Sequence, residues 1–497
     1  MTRPPRRARG AEGAALALSV DRGAATPLHA QLSAQLRAFV LAGRVAPGAR
    51  LPSTRALAAE LGIARATAVL AVGQLVAEGY VEGRAGAGLF VSTRLPESPR
   101  PAPPPRRPSP PPVPPPPPTS WRPFAVGALD PALFPHEAWA RLLQRGWRAH
   151  GPGMLRQPDP FGWAPLRAAI ARHLGEWRGI DCDPGRVVVT AGMADATALV
   201  AACGLPRGAR VVVEDPGYPA IAEELLRCGL RPVPVRVEAG GLDAARIAAD
   251  PVARGARGAF VAPARQHPLG GAMPVGRRLA LLDWARRVDG LVVEDEYDGE
   301  YRYAGAPLPA LTSLDQDGRV VHAGSFSKVL GRSLRLGYLV LPPALVDAAR
   351  AHLRDRPPAA SIVAQPALAE FVASGDFAAH VRRTRRIYAR RLEALLEAGR
   401  AWGGLLDMEP TDCGLHVVVR FGPRMPAGTD DRDVSAAALE AGIVAQPLSA
   451  SHARPPRRRG LLLGFAGYPE DALVAAMRRL GRAAEELARR GRRRRSA

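Results

Sequence analysis

The sequence predicts an α/β protein in two parts, a small N-terminal winged helix-turn-helix and a much larger domain built on a mainly parallel sheet. After residue 121, short β-branched runs such as RVVVT, RVVVEDP and VVHAGSF alternate with amphipathic stretches such as PAIAEELLRCGL. This alternation is typical of a parallel sheet whose two faces are covered by helices. Before residue 95, short helical segments with Gly-containing turns precede two short strands around a Gly-rich tip.

A proline-rich segment separates the two parts. Of the 18 residues from 101 to 118, 13 are proline, and proline blocks both helix and sheet pairing. We interpret the segment as an extended spacer, with a ligand for a polyproline-binding module as the alternative. The predicted segments are a disordered basic N-terminus (1–24), the winged helix-turn-helix domain (25–94), the Pro-rich linker (95–120), the large domain (121–485) and an Arg-rich tail (486–497).

Charge and cysteine content narrow the classes of function. A net charge of +22 and a pI near 11.2 favour a polyanionic partner, with nucleic acid ahead of an anionic membrane, although general arginine enrichment raises the pI in any protein. The four cysteines show no CxxC pair and no metal-binding spacing. We therefore expect reduced thiols in a cytoplasmic protein without a metal site. No apolar run approaches the roughly 18 residues of a membrane span.

The small domain contains the elements of a helix-turn-helix in order. PLHAQLSAQLRAFVLAG predicts a first helix with leucines on one face. In GARLPSTRALAAELG, Ser53 is placed to cap a short helix that stops at Gly62, and IARATAVLAVGQLVAEG supplies the next helix. YVEGRAGAGLFV then predicts the two strands of a wing.

This arrangement predicts binding to double-stranded DNA. The start of the helix at Arg65 and Thr67 would enter the major groove, Arg55 would hold a phosphate, and Arg84 would lie at the wing. A helical packing module with solvated arginines is the alternative, and the agreement of order, spacing and basic positions favours DNA. The predicted DNA-binding residues are Ser53, Arg55, Arg65, Thr67, Arg84 and Gly86.

Over residues 27 to 91 the sequence resembles the winged helix-turn-helix of the GntR family of bacterial regulators. One position departs from that family, which usually has Ser or Thr where Ala64 stands. The missing helix cap is expected to cost about 1 kcal/mol of stability. We expect this departure to lower the stability of the recognition helix and to leave the fold intact.

In the large domain one residue is chemically distinctive. Lys328, in GSFSKVLGRSLRLGY, is the only lysine among the 68 Lys and Arg residues. An arginine guanidinium stays protonated, whereas a lysine amine can lose its proton and form a Schiff base with a carbonyl. The position therefore indicates chemistry, unless a single lysine has persisted by chance.

Residues at neighbouring strand ends support a pyridoxal 5′-phosphate (PLP) site. VVEDEY places Asp295 and Tyr297 two residues apart, so both can face one side. TAGMADA places a Gly-containing turn before a helix, where backbone N–H groups can hold a phosphate. In this interpretation Lys328 forms the Schiff base, Asp295 pairs with the pyridine nitrogen, and Tyr297 bonds the phenolic oxygen.

The remaining predicted ligands bind the phosphate or the ring. Tyr218 of EDPGYP would stack on the ring. Taken singly, Asp295 is also compatible with a cap, Tyr297 with a core position and Arg335 with a surface cation. The phosphate would be bound by Ser325, Arg335 and the backbone amides of Gly192, Met193 and Ala194.

The whole large domain resembles the fold-type I aminotransferases, the PLP-dependent transferases, through EDPGYP, VVEDEYDGEYRY and GSFSKVLGRSLRLGYLVLP. A GntR-type winged helix joined to such a domain is similar to the MocR subgroup of regulators. The resemblance implies PLP as ligand, a homodimer with one site in each aminotransferase-like half, and control of DNA binding by PLP or by its adduct with an amino acid or amine.

Several positions depart from the subgroup's pattern. Gln157 replaces a tyrosine that reaches the partner's cofactor, and Ala264 and Arg265 replace Ser and His. Leu462 stands roughly where aminotransferases often keep an arginine for the substrate carboxylate, and Arg459 or a neighbour is the candidate substitute. These departures weaken the case for complete transamination and leave cofactor binding intact.

The sequence therefore favours a PLP-responsive transcriptional regulator over an enzyme. The first alternative is an active aminotransferase with an accessory DNA-binding domain. The second is a DNA-binding protein whose enzyme-like domain only dimerises. Residual aminotransferase-type chemistry is left open by the sequence.

Overall fold

The structure, a computed structural model, describes residues 17–84, 86–95, 122–156, 159–238, 240–305, 309–356, 359–456 and 458–496. The chain forms two compact units, Met1–Pro116 and Pro117–Ala497. The linker predicted at 95–120 lies outside the described residues, apart from its first residue, Leu95.

The first unit is a three-helix domain with a small antiparallel sheet. Apolar residues at helical spacing close its core, which includes Leu32, Leu36, Leu57 and Leu75. The strands are hydrogen-bonded in the order β1, β3, β2. The elements are α1 (Leu28–Leu41), β1 (Arg50–Leu51), α2 (Thr54–Leu61), α3 (Arg65–Ala77), β2 (Val81–Arg84) and β3 (Gly88–Val91).

The two short helices differ in whether a side chain caps their N-terminus. The Ser53 hydroxyl accepts a hydrogen bond from the backbone N–H of Ala56 at 3.1 Å, which caps α2. Ala64 occupies the corresponding position before α3 in an extended conformation and has no side chain to accept such a bond. The order helix, turn, recognition helix and wing is therefore present, with one capped and one uncapped helix.

The described part of the first unit begins at residue 17, before the boundary that the sequence predicts. Disorder is expected through residue 24, but residues 17–24 are described and bonded to α1. The Gln31 side chain donates to the backbone oxygen of Asp21, and Leu18 and Val20 pack against the core. Two apolar side chains and a glutamine that bonds backbone atoms are sufficient to hold this segment.

The second unit contains a seven-stranded sheet in the order β4, β10, β9, β8, β7, β5, β6. The five strands from β9 to β6 pair in parallel, and β10 runs antiparallel to both of its neighbours. The predicted mainly parallel sheet is confirmed. The strands are β4 (Val187–Thr190), β5 (Arg210–Asp215), β6 (Arg231–Arg236), β7 (Ala256–Val261), β8 (Leu291–Glu296), β9 (Val320–Ser325) and β10 (Gly337–Val340).

Helices cover the sheet and bury its two faces in separate cores. Val188, Val213 and Val293 belong to one core, and Val212, Val233 and Val292 to another. This is the side-chain alternation of strands that are buried on both faces. The helices are α4 (His136–Met154), α5 (Ala164–Arg178), α6 (Met193–Gly204), α7 (Pro219–Arg227), α8 (Ala244–Ala249), α9 (Val275–Arg287), α10 (Leu311–Leu314) and α11 (Val346–Asp355).

The C-terminal part adds a four-stranded antiparallel sheet in the order β11, β12, β14, β13. The last helix continues to Ser496, so the predicted tail at 486–497 is helical over most of its length. Leu480, Ala484 and Ala488 keep that helix against the core. The elements are α12 (Gln365–Ala373), α13 (Asp376–Arg400), β11 (Leu406–Met408), β12 (His416–Phe421), α14 (Asp431–Glu440), β13 (Gln446–Pro447), β14 (Gly460–Gly464) and α15 (Glu470–Ser496).

Among the helices of the described ranges, none combines the length and the apolar character needed to cross a bilayer.

Substitution of Ala64 by Ser is expected to stabilise α3. A serine hydroxyl in this extended position can accept a backbone N–H of the first turn, which typically contributes about 1 kcal/mol. The measurement is hydrogen exchange of α3 amides in the full chain, where we expect roughly 5-fold slower exchange. Ala66→Ser, inside the first turn, is the matched control and should give no such protection. Equal protection in both variants would contradict the capping explanation.

Candidate functional site

The strand ends of the large sheet bring the predicted cofactor residues to one edge. The first residue of β10, Gly337, pairs with Thr190 on β4 and with Ser325 on β9. Asp295 on β8 pairs with Ala323 on β9, two residues before Ser325. The turn after β4 and the turn after β9 therefore leave the sheet close to Asp295, at the carboxyl ends where α/β proteins place their sites.

Lys328 lies on a single 3-10 turn, Phe326–Lys328, directly after β9. The Ser325 hydroxyl accepts a hydrogen bond from the Ser327 N–H at 3.2 Å and so fixes the start of this turn. The lysine is partly buried. Burial lowers the pKa of the Lys328 amine, and the nearby charge of Arg332 lowers it further, while Asp298 and Asp295 oppose the shift. The amine is therefore uncharged at a lower pH than that of an exposed lysine.

Asp295 is a buried carboxylate with one unused oxygen. Its side chain is 7% exposed, and Oδ1 has no hydrogen-bond partner in the described part of the chain. Burial raises the pKa of Asp295 to about 7, against the opposing effect of Lys328. A buried carboxylate oxygen without a partner is costly. It is accordingly suited to receive a cationic N–H group from a ligand.

Tyr297 directly follows β8, two residues after Asp295. Its hydroxyl oxygen accepts a hydrogen bond from Arg265 Nη1 at 2.9 Å. Burial raises the pKa of the Tyr297 phenol well above its usual value, so the group stays protonated. A protonated tyrosine that already accepts one bond has its hydrogen left to donate.

Tyr218 lies on the wall of a cavity of about 220 Å³ that also includes His267 and Asp295. It precedes α7 and is 47% exposed, with its ring edge-on to that of His267 at 5.6 Å between centroids. Burial lowers the pKa of His267 to about 3, so this imidazole is neutral. An aromatic wall beside a carboxylate can accommodate a flat heterocycle.

The predicted phosphate ligands are placed at the same edge. Gly192 immediately precedes α6, and Met193 and Ala194 are the first two residues of that helix. Their N–H groups lie at a helix N-terminus, which favours anions. Arg335 is exposed and ends the turn Arg332–Leu334 in the left-handed region, with φ 51°.

These groups fit PLP. The free carboxylate oxygen of Asp295 matches a protonated pyridine nitrogen, the Tyr297 hydroxyl matches a phenolate oxygen, and the Lys328 amine matches an aldehyde. The backbone also leaves room beside the amine, since a Cβ on Gly127, at φ +75°, would lie 2.8 Å from Lys328 Nζ. The structure thus brings the predicted acid, amine and phenol of this site together.

Four residues that surround Tyr297 have no role in the sequence-based prediction. Arg265 bonds Asp298 Oδ2 at 3.0 Å and the backbone oxygen of His416 at 2.9 Å, and His267 lies beside His416. In the sequence, Arg265 stands out only as a departure within ARQHPLG. His416 belongs to β12, so its proximity depends on a contact between elements far apart in the chain.

A second buried polar cluster lies on the opposite side of β8. Ligand atoms of Glu294, Glu296 and His322 are within 4.8 Å of one another. The Glu294 carboxylate pairs with His322 at 3.1 Å and also accepts the Leu311 N–H, while Glu296 pairs with Arg178. Most of these atoms are engaged with one another, with Arg178 or with the backbone, which indicates a structural role; Glu296 Oε2 and His322 Nε2 have no hydrogen-bond partner among the described residues.

The departures from the subgroup pattern occupy different environments. Gln157 lies outside the described residues. Leu462 is fully buried with Val418 and Leu448. Arg459, the candidate substitute for a carboxylate-binding arginine, is exposed and paired with Asp430 at 2.8 Å.

The predicted DNA-binding residues of the first unit fall on its helix-turn-helix and wing. Arg55 is in the first turn of α2, and Arg65 and Thr67 are in the first turn of α3. Arg84 ends β2 with its guanidinium 4.7 Å from the Phe90 ring centroid, and Gly86 follows in the tip. Ser53 is used as a helix cap, which leaves its hydroxyl hydrogen free to donate.

Comparison with known families divides the chain in the same way. Residues 28–91 match the model of the bacterial regulatory proteins of the gntR family. Residues 123–480 match the model of aminotransferase class I and II.

Bacterial regulators resemble the chain across both parts. The chain is 35% identical to the probable rhizopine catabolism regulatory protein MocR of Rhizobium meliloti, over 90% of this chain and 92% of that protein. It is 31% identical to the pyridoxine biosynthesis transcriptional regulator PdxR of Corynebacterium glutamicum, over 90% and 94%.

A solved structure resembles the second unit. The kynurenine aminotransferase of Pyrococcus horikoshii has a TM-score of 0.66 at 25% identity, and the match covers 73% of this chain and 90% of that one.

The rate at which Lys328 captures PLP is expected to have its pH midpoint below 10.5, the ordinary value for a lysine amine. Only the uncharged amine attacks an aldehyde, and burial with Arg332 lowers the Lys328 pKa, so that form appears at lower pH. Stopped-flow absorbance after mixing apoprotein with PLP measures the midpoint. Arg332→Gln should move it upward, because a neighbouring positive charge is removed. A wild-type midpoint equal to that of an N-acetyl-lysine amide would contradict the expectation.

Proposed function

We propose the following function from the premise that this chain belongs to the MocR subgroup of GntR-family regulators, in which a winged helix-turn-helix is joined to an aminotransferase class I and II domain. The protein is a DNA-binding transcriptional regulator, and PLP is its cofactor. PLP modulates its DNA binding. The observation that carries this function is the buried, unpartnered carboxylate oxygen of Asp295 beside Lys328, in a chain that also has a winged helix.

We assign the cofactor residues as follows. Lys328 attaches the cofactor covalently, Asp295 receives the pyridine N–H, and Tyr297 donates to the phenolic oxygen. Tyr218 covers the ring. The support is the arrangement of these groups at one edge of the sheet. The phosphate is held by Ser325, Arg335 and the first amides of α6, at Gly192, Met193 and Ala194.

When bound, PLP supplies an aldehyde for amines and a ring that withdraws electrons. The chain's residues then determine which ligand reaches it. An amino acid or another amine is the proposed effector. The buried apolar cluster of Leu462, Val418 and Leu448 offers no charge to an effector carboxylate at that position. This favours regulation over efficient transamination.

DNA contact is assigned to the first unit. Arg65 and Thr67 at the start of α3 read the major groove, Arg55 contacts a phosphate, and Arg84 and Gly86 form the wing contact. We further propose a homodimer in the cytoplasm, where the operator DNA and PLP are both present.

Lys328→Arg is expected to remove the response of DNA binding to PLP. The variant keeps a positive charge and has no attacking amine. In the wild type, PLP should change the affinity for the gene's own upstream DNA by about 5-fold or more, a typical coupling between two sites. Fluorescence anisotropy of the full chain with and without PLP measures this, and borohydride trapping reports attachment at Lys328.

One control and two outcomes separate the alternatives. Without PLP, Lys328→Arg should bind the same DNA within about 2-fold of the wild type, a change well below the coupling expected from PLP, because position 328 is remote in sequence from the winged helix. A wild type that captures PLP but binds DNA equally with and without it would favour a dimerisation scaffold. Sustained amino-acid turnover without a specific footprint would favour an aminotransferase.

A further inference from the structure

Arg265 is an enclosed cation whose guanidinium contacts the tyrosine of the cofactor site. It is 4% exposed, and Nη1 lies 2.9 Å from the Tyr297 hydroxyl and 3.0 Å from Asp298 Oδ2. Nη2 donates to the backbone oxygen of His416 at 2.9 Å. Nε has no hydrogen-bond partner among the described residues, so the two Nη groups make the contacts that compensate for the burial of this cation.

The backbone around Arg265 leaves space for the guanidinium. Gly414 has φ +85°, and a Cβ there would overlap the Nε and Cζ atoms of Arg265. Two hydrogen bonds fix the loop of Gly414. The Gly414 N–H donates to the backbone oxygen of Tyr301, and the Gly414 backbone oxygen accepts from the Tyr303 hydroxyl, each at 2.7 Å. The pocket is therefore shaped for a large side chain at position 265.

The available donors and acceptors determine the direction of the Tyr297 hydroxyl. A guanidinium only donates, so the Tyr297 oxygen must be the acceptor in its bond with Arg265. Within the described ranges, no protein group accepts the remaining hydroxyl hydrogen. The hydrogen is thus left available to a ligand.

We propose that Arg265 is a positioning residue that holds the Tyr297 hydroxyl as a donor toward the phenolic oxygen of PLP. This inference rests on the proposed cofactor site. Its consequence is stronger stabilisation of negative charge on that oxygen, because a hydroxyl that accepts from a cation becomes a better donor.

The charges that face this pair come from several elements. Burial disfavours the charge of Arg265, but the Asp298 carboxylate and the hydrogen bond to Tyr297 favour it, so the pKa of the guanidinium is raised. Burial raises the pKa of Asp298 and Cys413, with Arg265 opposing in both cases. Asp295, Lys328 and Arg332 are charged groups on the cofactor side.

Two neighbouring histidines do not compete with Arg265 for this role. Burial and the charge of Arg265 lower the pKa of His267 to about 3 and that of His416 well below its usual value. His416 Nε2 lies 3.0 Å from the Pro268 oxygen, so its hydrogen is placed there and Nδ1 faces Arg265 as an acceptor. Arg265 is consequently the permanent cation beside Tyr297.

The test is a pH titration of the visible absorption of the full chain loaded with PLP. The wild type, Arg265→Met, Tyr297→Phe and the double variant are compared. Loss of the phenolic-oxygen donor favours the protonated form of the bound cofactor, so the midpoint should rise by about 1 pH unit in each single variant. The double variant should shift no further than Tyr297→Phe alone, because Arg265 acts through that hydroxyl.

Two results would overturn the proposal. The first is a midpoint in Arg265→Met equal to that of the wild type. The second is additive shifts in the double variant, which would mean that Arg265 acts independently of Tyr297. Arg265→Lys is avoided because it would introduce a second amine able to capture PLP.

A fallback keeps the test valid if Arg265→Met fails to fold with Asp298 left unpaired. The single variant Asp298→Asn is then compared with the double variant that carries both Asp298→Asn and Arg265→Met. Neither variant has a buried carboxylate at position 298 that lacks a partner. The same upward shift is expected, and no shift again rejects the proposal. A wild type with no visible PLP band refutes the cofactor site itself, whereas a normal band with unchanged midpoints rejects only the role of Arg265.

Discussion

The enclosure of Asp295 and Lys328 at one edge of the large sheet is the constraint on which the candidate site depends. Burial pushes both groups toward their neutral forms, whereas each favours the charge of the other. Neither the carboxylate nor the ammonium is well solvated there, and one carboxylate oxygen has no partner among the described residues. A ligand with a protonated ring nitrogen and an aldehyde relieves both deficits at once.

Strand register explains how the chain maintains this arrangement. Asp295 faces the site because it alternates with Glu294 and Glu296, whose carboxylates face the other side and are paired with His322 and Arg178. Three consecutive acids can therefore be buried in one strand. A shift of one residue would exchange the acid that faces the site for one that is already paired.

The local parts of this arrangement could be predicted from sequence, and the long-range parts could not. Asp295 lies near the end of an identifiable strand, and Tyr297 and Lys328 follow identifiable strands, so their common edge could be inferred from the order of strands and helices alone. The contacts of Arg265 with Asp298 and His416 join three separate parts of the chain, and no spacing in the sequence indicates them. The first unit is also ordered from an earlier residue than predicted, and the helical conformation of the Arg-rich tail could not be predicted, because the composition of basic segments does not reveal that Leu18 and Ala488 pack against a core.

Two cations of the site, Lys328 and Arg265, have different chemical requirements, which explains why one is a lysine and the other an arginine. Position 328 needs an amine that can lose its proton, and the chain has its one lysine there. Position 265 needs a cation that keeps its charge when buried, offers several donors and cannot attack an aldehyde, which is what a guanidinium provides. A lysine at position 265 would place a second nucleophile beside the first. Use of arginine for every other cation therefore leaves the aldehyde a single side-chain amine partner in the protein.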